Sequence, residues 1–166
     1  MSTGLVKNLD EANDLIQRIF QSENRALFQK PNRGIEVSCG VVEKLINKTI
    51  VSRALNPTEI VPEGDFFDES AKYLGKSKEI TPARISDSMC STIRELALKA
   101  HKILGCRGYS RTDFIIENDI PYILETNTLP GMTPTSLIPQ QIQYEGGFMK
   151  DFFQDLLEIA ENYQAI

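Results

Sequence analysis

The chain has 166 residues, 41% hydrophobic and 25% charged, which is enough for one ordinary domain with a sizeable core and excludes a disordered chain. Its 18 basic and 23 acidic residues leave a net charge of -5, and no run of Lys or Arg offers nucleic acid an electrostatic surface. No apolar run approaches the roughly 20 residues of a membrane span, and "MSTGLVKNLDEAND" has neither the basic start nor the apolar stretch of a secretory signal.

A cytoplasmic location is therefore expected. Cys39, Cys90 and Cys106 are odd in number and widely spaced, which suits reduced thiols and neither a disulfide framework nor a zinc site. The single His101 cannot build a His-based metal site and reads as a helix residue without chemistry.

In chain order, Leu9 to Glu23 reads as an amphipathic helix, with Leu9, Ala12, Leu15, Ile16, Ile19 and Phe20 at helical spacing. Asp10 and Glu11 suit its positive N-terminal end. Ala26 to Gln29 reads as a short strand. "KPNRG" is a loop, since Pro31 cannot donate to a ladder. Ile35 to Val42 is the next strand, "LINK" a turn and "KTIVSRAL" a third strand. Residues 56–86 hold Pro, Gly and many charges with little period. A loop of this length in a compact domain is usually functional, often a lid. A disordered linker is the alternative, against which Phe66, Phe67 and Tyr73 speak.

"SDSMCSTIRELALKAHKILGC" is a helix with a stripe of Ile93, Leu96, Ala97, Ala100 and Leu104, closed by Gly105. "SRTDFIIENDIPYILETN" reads as a hairpin of two alternating strands around "END". "TLPGMT" reads as a turn with Pro130 and Gly131 at the centre of type II. The tail, "GGFMKDFFQDLLEIAENYQ", is a further amphipathic helix. The architecture these elements imply is α+β, a mostly antiparallel sheet with helices on one face.

The hairpin carries the chemistry. Glu125 and Asn127 are i and i+2 on one strand, so both leave the same face. A loop of three or five residues would set Asp113 directly opposite Glu125; one of two or four would not. An oxygen-only set of Asp, Glu and Asn suits a hard cation such as magnesium. Arg111 shares the Asp113 face, where a guanidinium beside such a cation would serve a phosphate or an oxyanion. A plainer alternative is an exposed polar strand end with Glu125 salt-bridged to Arg111.

At these residues the sequence resembles a known family. "GCRGYSRTDF" followed by "YILETNTLPGMTPTSLIP" is similar to the C-terminal part of D-alanine–D-alanine ligases, of the ATP-grasp superfamily. "GIEVSCGVV", "EIVP", "FFDESAKY" and "ITPARIS" add to the likeness, which covers nearly the whole chain. The resemblance implies an ATP-grasp fold and two cofactors, ATP and Mg2+ (or Mn2+). The implied reaction joins two D-alanines through an acyl phosphate, for bacterial peptidoglycan synthesis and so for cell wall and cell shape. It implies Asp113, Glu125 and Asn127 as metal ligands, and Arg111 and the Gly131 N–H as stabilisers of the reacting oxyanion. Ser136 and Leu137 would hold the carboxylate of the second D-alanine. Glu36 would bind the ATP ribose, and Lys30 and Asn32 the adenine side. Lys72 and Tyr73 would act from a lid over residues 56–86, Lys72 on the terminal phosphate, with Tyr73 favouring a dipeptide product.

Gln29, Pro31 and Asn32 depart from the family pattern at the adenine hinge. The family's chains are about twice as long, and "STGLVKN" is similar to the end of their phosphate-covering loop, with Ser2 and Gly4 as its last matches. The expectation is a single partial ATP-grasp domain over residues 1–166, lacking the N-terminal D-alanine-binding domain and the first ATP-binding strands, and inactive alone. A homodimer is among the states the resemblance implies for the full-length parent. Two other readings stay open: an ATP-grasp ligase of different substrate, and a non-catalytic nucleotide- or metal-binding remnant.

Overall fold

A computed structural model describes residues 4–62 and 77–162. The chain divides into two compact units, Met1–Asn32 and Arg33–Ile166.

The first unit holds helix α1, Leu9–Ile19. Asn8 caps it: its side chain accepts from the Glu11 N–H at 2.9 Å, and the Glu11 carboxylate accepts from the Lys7 N–H at 2.8 Å. The helix stops short of the expected Glu23. Ala26 to Gln29 is irregular and not a strand. Apolar alternation alone does not make a strand; ladder hydrogen bonds require a partner, and none of the pairings among the described residues includes this segment.

Among the described residues, the second unit is built on a six-stranded antiparallel sheet. Its strands are β1 (Ile35–Ile46), β2 (Thr49–Ala54), β3 (Thr58–Pro62), β4 (Ser77–Ile80), β5 (Tyr109–Glu117) and β6 (Ile120–Asn127). The order is β4-β3-β1-β5-β6, with β2 pairing β1. On one side β1 meets β5 along Ile35 to Val42. On the other it meets β3 at Glu36 to Ser38 and β2 at Val41 to Ile46. The expected strand from Ile35 thus runs on to Ile46. The turn that follows is Asn47 and Lys48, both at positive φ, as two-residue hairpin turns require.

Residues 56–86 are not loop throughout. Thr58–Pro62 and Ser77–Ile80 pair with each other as β3 and β4, and β3 extends the main sheet. Strands of five and four residues leave little period to read. The rest of the expected lid, including Phe66, Phe67, Lys72 and Tyr73, lies outside the described residues.

Helix α2, Asp87–Ile103, forms where the apolar stripe placed it. Ser86 caps it by accepting from the Met89 N–H at 3.2 Å, and Gly105 follows its C-cap at φ +66. Its Ile93 and Ala97 pack on Val37, Cys39 and Val41 of β1 and Phe114 and Ile116 of β5, all buried. Helices α3 (Leu137–Tyr144) and α4 (Met149–Asn162) pack on the opposite face, around Val42, Leu55, Ile138, Ile142 and Phe152. The α+β, mostly antiparallel architecture is as expected, but helices cover both faces where the sequence placed them on one. Odd and even positions of β1 are both buried from Val37 to Val42, which is what a strand covered on both sides requires.

On the buried face of α2, His101 is 2% exposed. Its Nδ1 lies 2.7 Å from the Ser110 hydroxyl and its Nε2 3.1 Å from Glu43, which also accepts from Ser52 and the Gly108 N–H. The group expected to be inert thus satisfies a buried carboxylate. The three cysteines are unpaired, and burial pushes the Cys39 thiol up, away from reactivity.

On the same side as Val37, Glu59 of β3 receives Arg84 through Nε at 2.8 Å and Nη2 at 2.7 Å. Those side-chain hydrogen bonds hold the Glu59 carboxyl below its ordinary range, against the opposing effect of burial. A carboxyl depressed in the folded state adds stability above its unfolded pKa and loses it as pH falls through the folded value. The melting temperature of Arg84→Met is therefore expected to lag the wild type most above about pH 5. The gap should narrow as pH falls below the ordinary carboxyl range and close once the folded Glu59 carboxyl is protonated. A gap constant with pH would contradict the assignment.

Candidate active site

The β5–β6 turn is two residues, Asn118 and Asp119, both at positive φ. By parity alone such a turn would keep Asp113 and Glu125 out of register. Glu117 to Phe114 do pair with Ile120 to Ile123 in that unshifted register. A bulge between Asp113 and Phe114 then skips Leu124, so that Asp113 faces Glu125, Thr112 faces Thr126 and Arg111 faces Asn127. The extra residue restores the opposition that the turn length had removed.

Asp113 and Arg111 alternate with the buried Thr112 and Phe114, so both point away from the α2 core. On the other side of β5, Asp113 pairs with Ser38 and Arg111 with Gly40 of β1. One face thus carries Ser38, Asp113 and Glu125 in one row, and Gly40, Arg111 and Asn127 in the next. Arg111 grips Asp113 with both arms, Nε to Oδ1 at 3.0 Å and Nη2 to Oδ2 at 2.8 Å. The Ser38 hydroxyl donates to Asp113 Oδ1 at 2.6 Å. Arg111 pairs with Asp113 and not, as the plainer alternative had it, with Glu125. Burial would lower the Arg111 pKa, but the hydrogen bonds and charge of Asp113, with the charges of Glu125 and Glu79, hold it above its ordinary value. The cation is locked on in a field of carboxylates.

The segment after β6 differs from the expected turn. Type II geometry would need positive φ at Gly131, which is not among the positive-φ glycines. The tight turn comes later, where the Ser136 N–H donates to Thr133 O at 2.8 Å with Pro134 between them. Proline presets the first central position of such a turn. The Ser136 hydroxyl folds back to the Thr133 N–H at 3.1 Å and Thr133 Oγ1 at 2.8 Å. Ser136 then stands at the N-cap of α3, and Leu137 begins the helix. A Cβ on Gly131 would lie 3.0 Å from Ser136 Oγ, so that backbone and that hydroxyl are neighbours. Glu79 of β4 is tied to Gln140 of α3.

A profile of the D-ala D-ala ligase C-terminus matches residues 2–158. The chain belongs to this ligase family. It is 53% identical over 161 residues to a D-alanine–D-alanine ligase of Leptospira biflexa, covering 96% of this chain and 46% of that protein. Among solved structures, the D-alanine–D-alanine ligase of Coxiella burnetii superposes with a TM-score of 0.75 at 25% identity, over 93% of this chain and 40% of that one. VanG D-Ala:D-Ser ligase of Enterococcus faecalis gives 0.75 at 28% identity, over 92% and 43%. The chain spans about half the length of the curated relatives it matches.

Of the residues that the ligase resemblance singled out, Arg111, Asp113, Glu125 and Asn127 share one sheet face, and Gly131 adjoins Ser136, which precedes Leu137 at the start of α3. Glu36 lies on the same face of β1, two positions before Ser38 and paired with Ile115. Lys30 and Asn32 belong to the first unit. Lys72 and Tyr73 lie outside the described residues. Among the described residues no cluster of three His, Cys, Asp or Glu forms. The Asn127 amide stands in the adjoining row and would be a third oxygen donor. Two opposed carboxylates and an amide, all hard oxygen, fit the magnesium that the ligase family implies.

Sequence reasoning missed Ser38 and Gln141. Ser38 could have been found from the alternation of β1 once its pairing with β5 was known. Gln141 carried no signal, because α3 itself was not read from "SLIPQQIQYEG".

Proposed function

We propose that this chain supplies the metal- and substrate-holding part of an ATP- and magnesium-dependent ligase that joins two D-alanines for peptidoglycan precursors in the bacterial cytoplasm. The observation that carries the reading is the bulge-restored opposition of Asp113 and Glu125, with Asn127 and Arg111 in the adjoining row. Bound there by Asp113, Glu125 and Asn127, magnesium would neutralise phosphate charge during transfer. The chain's own residues do the rest. Arg111, fixed by its two contacts to Asp113, is a standing donor for an oxyanion and costs no reorganisation when charge develops. The Gly131 N–H is proposed as a second donor. Ser136 and Leu137 open α3, where the helix's positive end suits the carboxylate of the second amino acid. Glu36 is assigned the ribose, Lys30 and Asn32 the adenine side, and Lys72 and Tyr73 the lid, all on the resemblance. Excluding water is the lid's task, because acyl phosphates hydrolyse.

The protein at its full natural length, with ATP, magnesium and D-alanine, is expected to release phosphate in a D-alanine-dependent way. Release that ignores D-alanine, or none, sinks the reading. The 166 residues alone are expected to give no such release, since they span about half the length of the relatives. A second reading, the same chemistry with another second acid, draws on the likeness to VanG D-Ala:D-Ser ligase. Offering D-serine and D-lactate beside D-alanine separates the two.

A further inference from the structure

Gln141 is fully buried, yet each end of its amide is used on a strand. Its Oε1 accepts from the Gly40 N–H at 2.9 Å. Its Nε2 donates to Ser38 O at 2.9 Å and to Thr58 Oγ1 at 3.0 Å. The Gly40 N–H and Ser38 O are the β1 groups at the gap between its pairing with β3, which ends at Ser38, and with β2, which begins at Val41. The amide thus stands in for a strand residue where the sheet has none. Gly40 makes room for it: a Cβ there would meet Gln141 Oε1 at 2.7 Å, Leu55 at 3.0 Å and Ile138 at 3.1 Å. Gln141 lies one turn beyond Leu137 on the same helix face. Ser38, held by its carbonyl, turns its hydroxyl to Asp113 Oδ1 at 2.6 Å. A continuous set of hydrogen bonds runs from the helix carrying Ser136 and Leu137, through Gln141 and Ser38, to the Asp113 carboxylate.

We propose that Gln141 and Ser38 are positioning residues that hold the α3 end, which receives the second amino acid, in register with the Asp113 carboxylate. This rests on the ligase reading above. Ser38 orients the carboxylate for the metal; Gln141 orients both Ser38 and the helix. The test uses the full-length protein and reads Mn2+ binding by electron paramagnetic resonance with a non-hydrolysable ATP analogue, independently of turnover. Ser38→Ala is expected to weaken Mn2+ binding about tenfold or more and to leave the KM for D-alanine unchanged. Ser38→Thr, which keeps the hydroxyl, restores Mn2+ binding. Gln141→Met is expected to weaken Mn2+ binding and raise the KM for D-alanine together. If Gln141→Met does not fold, the Ser38 pair decides. Mn2+ binding by Ser38→Ala within about twofold of wild type would overturn the proposal. So would a Gln141→Met that melts earlier but keeps both constants. Wild-type phosphate release is the separate control for the ligase reading, so the two can fail independently.

Discussion

Arg111→Lys in the full-length protein is expected to lower the kcat of D-alanine-dependent phosphate release by about 10²- to 10³-fold, the usual cost of losing one fixed oxyanion donor. The charge survives this change; the planar fork does not. Arg111 holds Asp113 by two parallel contacts at 3.0 and 2.8 Å, which an ammonium cannot reproduce. Asp113 keeps the Ser38 hydroxyl as a partner and the lysine keeps the charge, so the folded state should lose about 1–3 kcal/mol, short of unfolding. Kinetics and a thermal melt on the same preparation separate the effects. A variant with wild-type kcat would remove Arg111 from the reaction, and a collapse in melting temperature would make its role one of folding.

Phe114→Ala is expected to cost about 3–5 kcal/mol of unfolding free energy, read by urea denaturation. Phe114 is fully buried, pairs across the sheet with Val37, and lies in one cluster with Cys39, Val41, Ile93 and Ala97. Strands on both sides and α2 above leave little room for the cavity to collapse. A loss below about 1 kcal/mol would show that the core repacks around the gap. Phe114 also flanks the bulge that aligns Asp113 with Glu125, so a weaker core there loosens the register of the site.

Much of the fold could be read from local pattern. The stripe of α2, its Gly105 end, the alternation of β5 and the tail helix α4 follow from periodicity and capping chemistry, which act over a few residues. Failures fell where the deciding partner is distant or the element short. Ala26 to Gln29 alternates without a ladder. β3 and β4 are too short to show a period. α3 is eight residues long, and its "LIPQQIQY" has buried residues at Ile138, Pro139, Gln141 and Ile142, so polarity misleads about which side faces in.

The site divides in the same way. By itself the sequence determined which residue types stand on β5 and β6, that Glu125 and Asn127 share a face, and, through its motifs, the ligase family. Those properties are carried by the chain's order and by a strand's period of two. Only the tertiary structure decided that Asp113 and Glu125 meet. The two-residue turn would have parted them, and the bulge at Leu124 brings them back. Register is a property of two strands together, and one inserted residue resets it, a change that shows only once the partner strand is in place. The same holds for Ser38 and Gln141, 103 residues apart and joined by one hydrogen bond.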